Sequence, residues 1–554
     1  MKTSFLAMTA LSAAIISAPA AAQELLFLAE DVPAGLNYDG PAAAIPTSQT
    51  GMVNLMEPLF GYASAGPNED GVILPDFDKF EGRLVESWSF DEPSLTWTLN
   101  LRQGVMGCGG TTFNADDVIY TFERAKSVSG AAPIGWFLSN VASIAGFTPA
   151  VFGDDASAKE LGDEVKKIDD YTVTITQSEP NALFLPVLTI FGLYIFDKEA
   201  MLEQATDDDP WSHEYTNNVG VPSFGPYCLE SWTKDDEIVF TANENYYGGA
   251  PAIKRVVMKR VPQSSNRVVV LRSGQAQLAQ NLTPREYDSL RSANGISVAG
   301  VTGNENAFIH MNFANEPFDN MKLRQAIAHA IPYQQIIDNA YFGAATRWEG
   351  LVPSNYPGYV APSGYAYDVE KAKALLAEAG YPNGEGLEDF ADTFQLTYVA
   401  EKETVLGPTV NIIQTALREI GIPVSLNPLP QTQYGDRQLV KRDLPFAIND
   451  QEKPIGVDAG YAIQLFFVSA DKGGLNNMVN YSSAMVDDTW AKARVEPDTG
   501  ARDAMLKDIQ DQLMADVAWL PIVEYQTQWA FSDGLSGMRW HPDNSIRFHD
   551  LSLN

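Results

Sequence analysis

Short strand-like runs alternate with amphipathic helical patterns along this chain, and this alternation limits the folds that it can adopt. Residues 171–177, YTVTITQ, alternate with a period of two and stop before Ser-Glu-Pro, which is typical of a strand. Residues 238–242 and 307–312 have similar patterns. Helical periodicity covers longer segments: 115–125, 321–331, 369–379 and 409–420. Strands interleaved with helices predict an α/β fold.

Two helix boundaries can be predicted from single residues. Asn114 precedes segment 115–125 and is a good N-cap, because its side chain can accept a hydrogen bond from a free backbone N–H. Gly380 follows segment 369–379, with Pro382 two residues later. This combination is a common helix stop, since glycine adopts the left-handed conformation easily and proline cannot continue a helix.

The first 22 residues have the pattern of a cleaved export signal. Lys2 supplies the positive charge, residues 5–16 are apolar, and three alanines precede Gln23 as a small-residue cleavage site. The apolar stretch is too short to span the roughly 30 Å of hydrocarbon in a bilayer. No cysteine stands at the cleavage point, so we expect no lipid anchor. The sequence therefore predicts a secreted, soluble protein.

The chain is strongly acidic, with 71 Asp and Glu against 37 Lys and Arg and a formal net charge of −34 at pH 7. Proteins that bind nucleic acid use Lys and Arg to neutralise phosphates, so we expect no nucleic acid partner. Solubility explains the acidity without any ligand. A preference for cationic ligands is the weaker interpretation, because net charge says little about a buried site.

Chain length and cysteine content limit the architecture further. Without the signal, the chain is longer than one hydrophobic core supports, so we expect two or three domains. Cys108 and Cys228 are its only cysteines, and a secreted protein can keep a disulfide. The sequence does not show whether they lie within bridging distance, so a disulfide and two buried thiols both remain open.

A series of short motifs runs in order along nearly the whole chain. Residues 84–88 read LVESW, 97–105 read WTLNLRQGV and 113–118 read FNADDV. The series continues with GPY at 225–227, MNF at 311–313, PFD at 317–319, RQA at 324–326, YDVEKAKALLAEAGY at 367–381 and WLPI at 519–522. In this order the motifs resemble the extracellular solute-binding proteins of family 5, the dipeptide- and oligopeptide-binding group of periplasmic proteins of ABC importers.

This resemblance implies a two-lobed α/β fold of the Venus-flytrap type, which closes on a ligand like a hinged clamp. We expect lobe I in residues 23–56, 171–304 and 521–554, an inserted sub-domain in 57–170 and lobe II in 305–520. The chain would cross between the lobes near 304–308 and return near 520–524. Ligand binding would then stabilise the closed form by its higher affinity for that form.

The resemblance also implies the function and the partners. We expect a periplasmic monomer that captures a peptide or another small polar solute. It would deliver this solute to the ABC permease subunits of the inner membrane, which work with a cytoplasmic ATPase. We expect no catalytic residue, no metal and no cofactor. The identity of the solute stays open.

Peptide-binding members of the family carry an Asp in a Trp-x-x-Asp pattern that pairs with the ammonium group of the ligand. The matching position here is Asp450, with Ala447 in place of the Trp and the later Asp458 in place of the usual Asp-Pro pair. Asp450 is therefore the first candidate ligand residue, although the missing aromatic weakens the case for peptides. The alternative role of Asp450 is to accept a backbone hydrogen bond within its loop.

Other candidate ligand residues come from predicted loops, where α/β proteins expose their binding groups. Trp348 and Tyr461 could stack on a sugar or an apolar side chain. Ser48 and Gln49 belong to a predicted loop at 46–49. For the two aromatic residues, packing in the core is the alternative interpretation, because large aromatic side chains are mostly buried.

The rival classes are a secreted hydrolase, such as a glycosidase or a peptidase, and a receptor that takes no part in transport. The sequence has no Gly-x-Ser-x-Gly, no His-Glu-x-x-His, no phosphate-binding loop and no Cys-x-x-Cys. Its five histidines lack metal-ligand spacing. These observations favour a binding protein.

Overall fold

The computed structural model describes residues 24–39, 46–128, 134–144, 146–147, 164–190, 193–361, 364–450 and 452–554. The predicted export signal at 1–22 lies outside the described residues. None of the described helices is both long and apolar enough to cross a bilayer.

The described residues form nineteen β-strands. They are β1 (Glu24–Ala29), β2 (Phe60–Pro67), β3 (Ile73–Gly82), β4 (Val85–Asp91), β5 (Thr96–Leu101), β6 (Val165–Asp169), β7 (Thr172–Thr176), β8 (Tyr227–Thr233), β9 (Glu237–Ala242), β10 (Arg255–Arg260), β11 (Leu278–Ala279), β12 (Ile296–Met311), β13 (Ala345–Arg347), β14 (Gln395–Val399), β15 (Ser425–Leu429), β16 (Phe446–Asn449), β17 (Leu520–Ser532), β18 (Leu535–Ser536) and β19 (Ser552–Leu553).

The same residues form sixteen α-helices. They are α1 (Pro46–Leu55), α2 (Ala115–Ser127), α3 (Ile134–Trp136), α4 (Phe184–Leu188), α5 (Lys198–Leu202), α6 (His213–Asn218), α7 (Ser264–Arg272), α8 (Pro284–Leu290), α9 (Met321–Ala330), α10 (Tyr333–Ala340), α11 (Val369–Glu378), α12 (Glu403–Glu419), α13 (Gln431–Gly435), α14 (Ala459–Phe466), α15 (Ala484–Ala493) and α16 (Thr499–Ala515).

Eleven strands form one mixed sheet that runs through both lobes. Its order is β15-β14-β16-β12-β17-β11-β1-β10-β9-β8, and β13 pairs with β17. β1 lies parallel to β10 and β11 in lobe I, and β14 lies parallel to β15 and β16 in lobe II. Between these two parts, β12 and β17 form a long antiparallel pair. The predicted α/β, two-lobed fold is therefore confirmed.

The pair β12–β17 is the physical link between the lobes. Ile296–Thr302 pair with Gln526–Ser532 on the side of lobe I, and Asn306–Ile309 pair with Leu520–Glu524 on the side of lobe II. The register shifts between Thr302 and Asn306, so residues 303–305 leave the regular ladder. Such bulges bend a strand locally. The chain thus crosses between the lobes where its ladder is interrupted.

A separate antiparallel sheet, in the order β4-β5-β7-β6, forms the centre of the inserted sub-domain. The sub-domain was expected to end at Asp170, which is wrong because β7 follows that residue and pairs with both β5 and β6. The sheet therefore continues to Thr176. Cys108 and Cys228 form a disulfide with Cα atoms 5.7 Å apart, which joins this sub-domain to β8 of the large sheet.

Helices of lobe II follow the predicted apolar faces. Leu323, Ala326 and Ile327 of α9 are completely buried in the core that β12 and β16 share with α12. Helix α12 begins at Glu403 rather than at the predicted 409 and contains Pro408. Proline usually ends a helical pattern, so the sequence placed the boundary too late.

Candidate functional site between the two lobes

An ion pair lies at the edge of lobe II where two parallel strands end. β14 and β16 run in the same direction, and Lys402 and Asp450 follow their carboxyl ends. Lys402 Nζ lies 2.9 Å from Asp450 Oδ1, with side-chain exposures of 34% for Lys402 and 4% for Asp450. The carboxyl edge of parallel strands is where α/β proteins commonly bind ligands. Asp450, the first predicted ligand residue, is thus already neutralised by a lysine.

The loop that follows β16 is tied to the strands between the lobes. The hydroxyl oxygen of Tyr525 on β17 lies 3.1 Å from both the backbone oxygen of Asp450 and Glu305 Oε2, so these two acceptors share its one hydrogen. Lys453 Nζ lies 2.5 Å from Glu305 Oε1. Burial raises the pKa of Tyr525 well above its usual range, so this hydroxyl stays a donor at neutral pH. These bonds hold the ion pair against the crossing strands.

Asn304 bonds to both lobes from the irregular part of β12. Its Nδ2 lies 2.9 Å from the hydroxyl of Tyr356 and 3.1 Å from the backbone oxygen of Pro454, both in lobe II. The same nitrogen lies 2.6 Å from the oxygen of Pro542 in the C-terminal segment, and Asn544 donates to Asn304 Oδ1 at 2.9 Å. Asn304 is completely buried. Because the side-chain amide of Asn304 bonds to both lobes, it helps to fix the angle between them.

The lobes also touch at some distance from the crossing strands. The rings of Phe137 and Tyr461 stack at 6.4 Å, and Trp136 Nε1 donates to Gly473 O at 3.2 Å. Arg494 of lobe II forms an ion pair with Glu179 of lobe I. The described conformation is therefore one in which the lobes are in contact.

A small cavity of about 90 Å³ lies in lobe I, and Pro542, which accepts a hydrogen bond from Asn304, is one of its lining residues. Ile455 of lobe II forms part of its wall, and the lobe I side includes charged and imidazole groups: Glu57, Arg83, His541, Asp543, Arg547 and Asp550. The cavity therefore has a polar lining on the side of lobe I and an apolar contact from lobe II.

The charges around this cavity neutralise one another. Arg547 donates two parallel hydrogen bonds to Asp543, each at 2.7 Å. Burial alone would raise the pKa of Asp543, but the charge and hydrogen bonds of Arg547 hold it well below its usual range. Burial lowers the pKa of His541 and of His549 to about 4, so both imidazoles are neutral at pH 7. Each arginine is thus matched by a carboxylate within the protein.

Two predicted ligand residues belong to helix α14: Asp458 caps its N-terminus, and Tyr461 lies within it. Asp458 accepts a hydrogen bond from the backbone of Gly460 at 2.6 Å as the N-cap of this helix. Asp458 also forms a buried ion pair with Arg502 at 2.6 Å. Tyr461 is buried, with its ring against Phe137. Both residues lie near the contact between the lobes, but their polar or aromatic groups already have partners.

The remaining predicted ligand residues are part of the core. Trp348 is buried and donates its indole N–H to Val352 O at 3.1 Å. The predicted loop at 46–49 is wrong, because helix α1 begins at Pro46 and contains Ser48 and Gln49. Both side chains are buried, and Ser48 Oγ accepts a hydrogen bond from Ala34 N at 3.2 Å. The structure does not bring these residues together with Asp450.

Sequence reasoning missed Lys402, Asn304 and Tyr525. The signal for Lys402 was a basic residue directly after a strand that lies parallel to the strand before Asp450. Finding it required the pairing of β14 with β16, which the sequence pattern does not give. Asn304 and Tyr525 carry no motif. Among the described residues, no cluster of three His, Cys, Asp or Glu is placed to hold a metal ion.

The chain matches a family described as "Bacterial extracellular solute-binding proteins, family 5 Middle" over residues 79–473. It is 25% identical to the glutathione-binding protein GsiB of Escherichia coli strain K12 over 482 residues, which cover 86% of each chain.

Solved structures share the fold across nearly the whole chain. The periplasmic binding protein DppA of Helicobacter pylori, in complex with the peptide STSA, has a TM-score of 0.76 at 23% identity, covering 96% of this chain and 98% of that one. MoaA of A. tumefaciens R10, in complex with mannopinic acid, has a TM-score of 0.77 at 22% identity, covering 96% and 100%. Because the family match spans well over half of the sequence, the chain belongs to the bacterial extracellular solute-binding proteins of family 5.

Proposed function

We propose that this chain captures a peptide or another small polar solute between its lobes and delivers it to the permease of an ABC importer. One observation carries the proposal: the ion pair of Lys402 and Asp450 at the carboxyl edge of two parallel strands. The carboxylate of a solute can accept a charge-assisted hydrogen bond from Lys402, and its ammonium group can donate one to Asp450. Such a solute can separate a charge pair that the fold already holds in place.

The ligands named for related proteins support this solute class. GsiB is named for glutathione, and the DppA and MoaA structures contain a peptide and mannopinic acid. All three are small polar solutes. We expect the captured solute to leave the protein unchanged, because the family is one of binding proteins.

The proposal includes the place and the partners of the protein. Export would remove residues 1–22 and leave a periplasmic monomer. Residues 305–520 would move as lobe II against the rest of the chain, with the bend at residues 303–305 of β12. The closed form would then dock on permease subunits of the inner membrane that a cytoplasmic ATPase drives.

The test is a melting and calorimetric screen with glutathione, alanyl-alanine and trialanine. At a hundredfold excess over Kd, a ligand stabilises its protein by about 2.7 kcal/mol, which raises the melting temperature measurably. We expect Asp450→Asn and Lys402→Met to weaken binding of the active probe by about tenfold or more, since each removes a charge-assisted bond.

A surface ion pair of the same lobe provides the matched control. Lys441 and Asp436 lie 2.6 Å apart with both side chains exposed. Lys441→Met and Asp436→Asn should leave the affinity unchanged. If none of the probes shifts the melting temperature of the natural protein, capture of glutathione and of short peptides without a basic side chain is wrong. Cleavage of a probe, detected by mass spectrometry, would instead support a hydrolase.

A further inference from the structure

The loop after β16 holds one acidic group that no cation among the described residues neutralises. Four charged side chains are described between residues 450 and 458. Three of them have partners of opposite charge: Asp450 with Lys402, Lys453 with Glu305 and Asp458 with Arg502. The fourth, Glu452, forms no ion pair with any cation among the described residues. Within the part of the chain that the structure describes, Glu452 is therefore the one carboxyl group of this loop without a cationic partner.

The described groups that form hydrogen bonds with Glu452 are neutral. Asn476 Nδ2 donates to Glu452 Oε2 at 3.2 Å, and the backbone N–H of Glu452 donates to Asn449 Oδ1 at 3.1 Å. The phenols of Tyr434 and Tyr461 are close enough for the charge of Glu452 to help raise their pKa, after the larger effect of their burial. These neighbours come from α13, α14 and the segment before α15, and none of them is a cation at neutral pH.

The position of Glu452 is at the contact between the lobes. It stands two residues after Asp450 and one before Lys453, which reaches Glu305 beside the crossing strands. On its other side, Tyr461 stacks against Phe137 of lobe I. The side chain is half-buried, so part of its surface remains open. A solute held between the lobes beside Asp450 therefore comes within reach of this carboxyl group.

Burial without a cation makes the charged form of Glu452 expensive. Desolvation raises its pKa to about 7, against a smaller lowering by the Asn476 hydrogen bond. The neutral carboxyl is therefore easier to form at neutral pH than that of a solvent-exposed glutamate. A cation placed beside it would remove this cost, and the proton would leave for the solvent as the ion pair forms.

We propose that Glu452 receives a protonated amine or guanidinium group of the captured solute, so that the site selects solutes with a cationic group. The proposal rests on capture between the lobes and adds the residue that recognises the cation. Asp450 can receive an ammonium group only by separating from Lys402, whereas Glu452 has no described cation to give up, so it can receive a second cationic group of the same solute. The solute class is then a basic peptide or a basic amino-acid derivative.

Matched probes differ in one charge. We compare the tripeptide Ala-Arg-Ala with Ala-citrulline-Ala, in which a neutral urea replaces the guanidinium, and with N-acetyl-Ala-Arg-Ala. At pH 7.5 we expect the natural protein to bind Ala-Arg-Ala about tenfold or more tightly than one of the two analogues. That analogue is the citrulline peptide if Glu452 recognises the guanidinium, and the acetylated peptide if it recognises the terminal ammonium. In Glu452→Gln, which keeps an oxygen for Asn476, this advantage should disappear.

The pH dependence separates recognition from a structural role. Lowering the pH from 7.5 to 5.5 protonates Glu452, so the advantage of the cationic peptide should shrink in the natural protein and stay absent in Glu452→Gln. The control is Glu385→Gln, an exposed carboxyl of lobe II, which should behave as the natural protein does. Melting curves should show that both variants fold.

The outcomes distinguish this proposal from the wider one. The role of Glu452 is overturned if Glu452→Gln still binds the cationic peptide more tightly than its analogues. It is also overturned if the natural protein binds Ala-Arg-Ala no more tightly than either analogue. If no peptide binds, free arginine and citrulline serve as probes. If the natural protein binds arginine more tightly than citrulline and Glu452→Gln does not, the role of Glu452 is supported and peptides are rejected as the solute. If arginine does not bind either, the assignment of Glu452 is overturned.

Discussion

His310 shows how a single buried group couples folding to pH. It lies on β12 opposite Ala447 and is completely buried. Neither of its ring nitrogens has a hydrogen-bond partner among the described residues. Burial lowers the pKa of His310 to about 3, so the imidazole stays neutral in the folded protein throughout the physiological range. The folded state therefore buries a polar ring without any hydrogen bond from the described residues to offset its loss of water.

This environment predicts a loss of stability in acid. The unfolded chain binds a proton at His310 near pH 6.5, whereas the folded protein does so only near pH 3. Unfolding thus takes up a proton between these values, and His310 alone should lower the free energy of unfolding by about 2 kcal/mol from pH 7 to pH 5. In His310→Leu, the decline between these pH values should be smaller by that amount. Denaturant titrations at both pH values measure it, and parallel declines would contradict the assignment.

At the scale of elements, a disulfide cross-links the inserted sub-domain to the large sheet. The disulfide Cys108–Cys228 connects the segment between β5 and α2 to strand β8, across 120 residues of sequence. Closing a long loop restricts the unfolded chain, so such a bond stabilises the folded state. Apart from the backbone that enters and leaves it, the sheet β4-β5-β7-β6 would otherwise be held to lobe I by non-covalent contacts.

Removing this link should destabilise the protein without changing its fold. We expect Cys108→Ser with Cys228→Ser to lower the free energy of unfolding by about 2–5 kcal/mol. Calorimetry should show the same decrease in the natural protein after reduction by dithiothreitol, and none when the double variant is reduced. Equal melting temperatures for the oxidised natural protein and the double variant would show that the bond contributes nothing.

Some elements could be predicted from the sequence more accurately than others. Asn114 caps α2 as predicted, since both partners of its capping box lie within four residues. The start of α12 was missed because Pro408 lies inside the helix, where proline is unusual. The helical state of Ser48 was missed because Pro46 was taken as part of a loop, whereas it opens α1, a position where proline is common. For the site, Asp450 was found through its motif. Lys402 lies 48 residues away in sequence, so its pairing depends on sheet topology.

At the scale of the whole molecule, closure depends on a narrow connection. Only β12 and β17 cross between the lobes within the described sheet, and Asn304 bonds to both sides at the interrupted part of that ladder. The contacts of Phe137 with Tyr461 and of Arg494 with Glu179 lie outside this connection and must break when the lobes part. A bound solute can therefore shift the population towards the closed form by bonding to both lobes at once.

Small-angle X-ray scattering with and without a saturating probe, chosen from the melting screen, tests this closure directly. We expect the radius of gyration to decrease when the probe is added and the scattering of the bound protein to match the described conformation. Asp450→Asn at the same probe concentration should remain closer to the unbound state. A probe that binds with a calorimetric signal yet leaves the scattering curve unchanged would contradict capture by closure of two lobes.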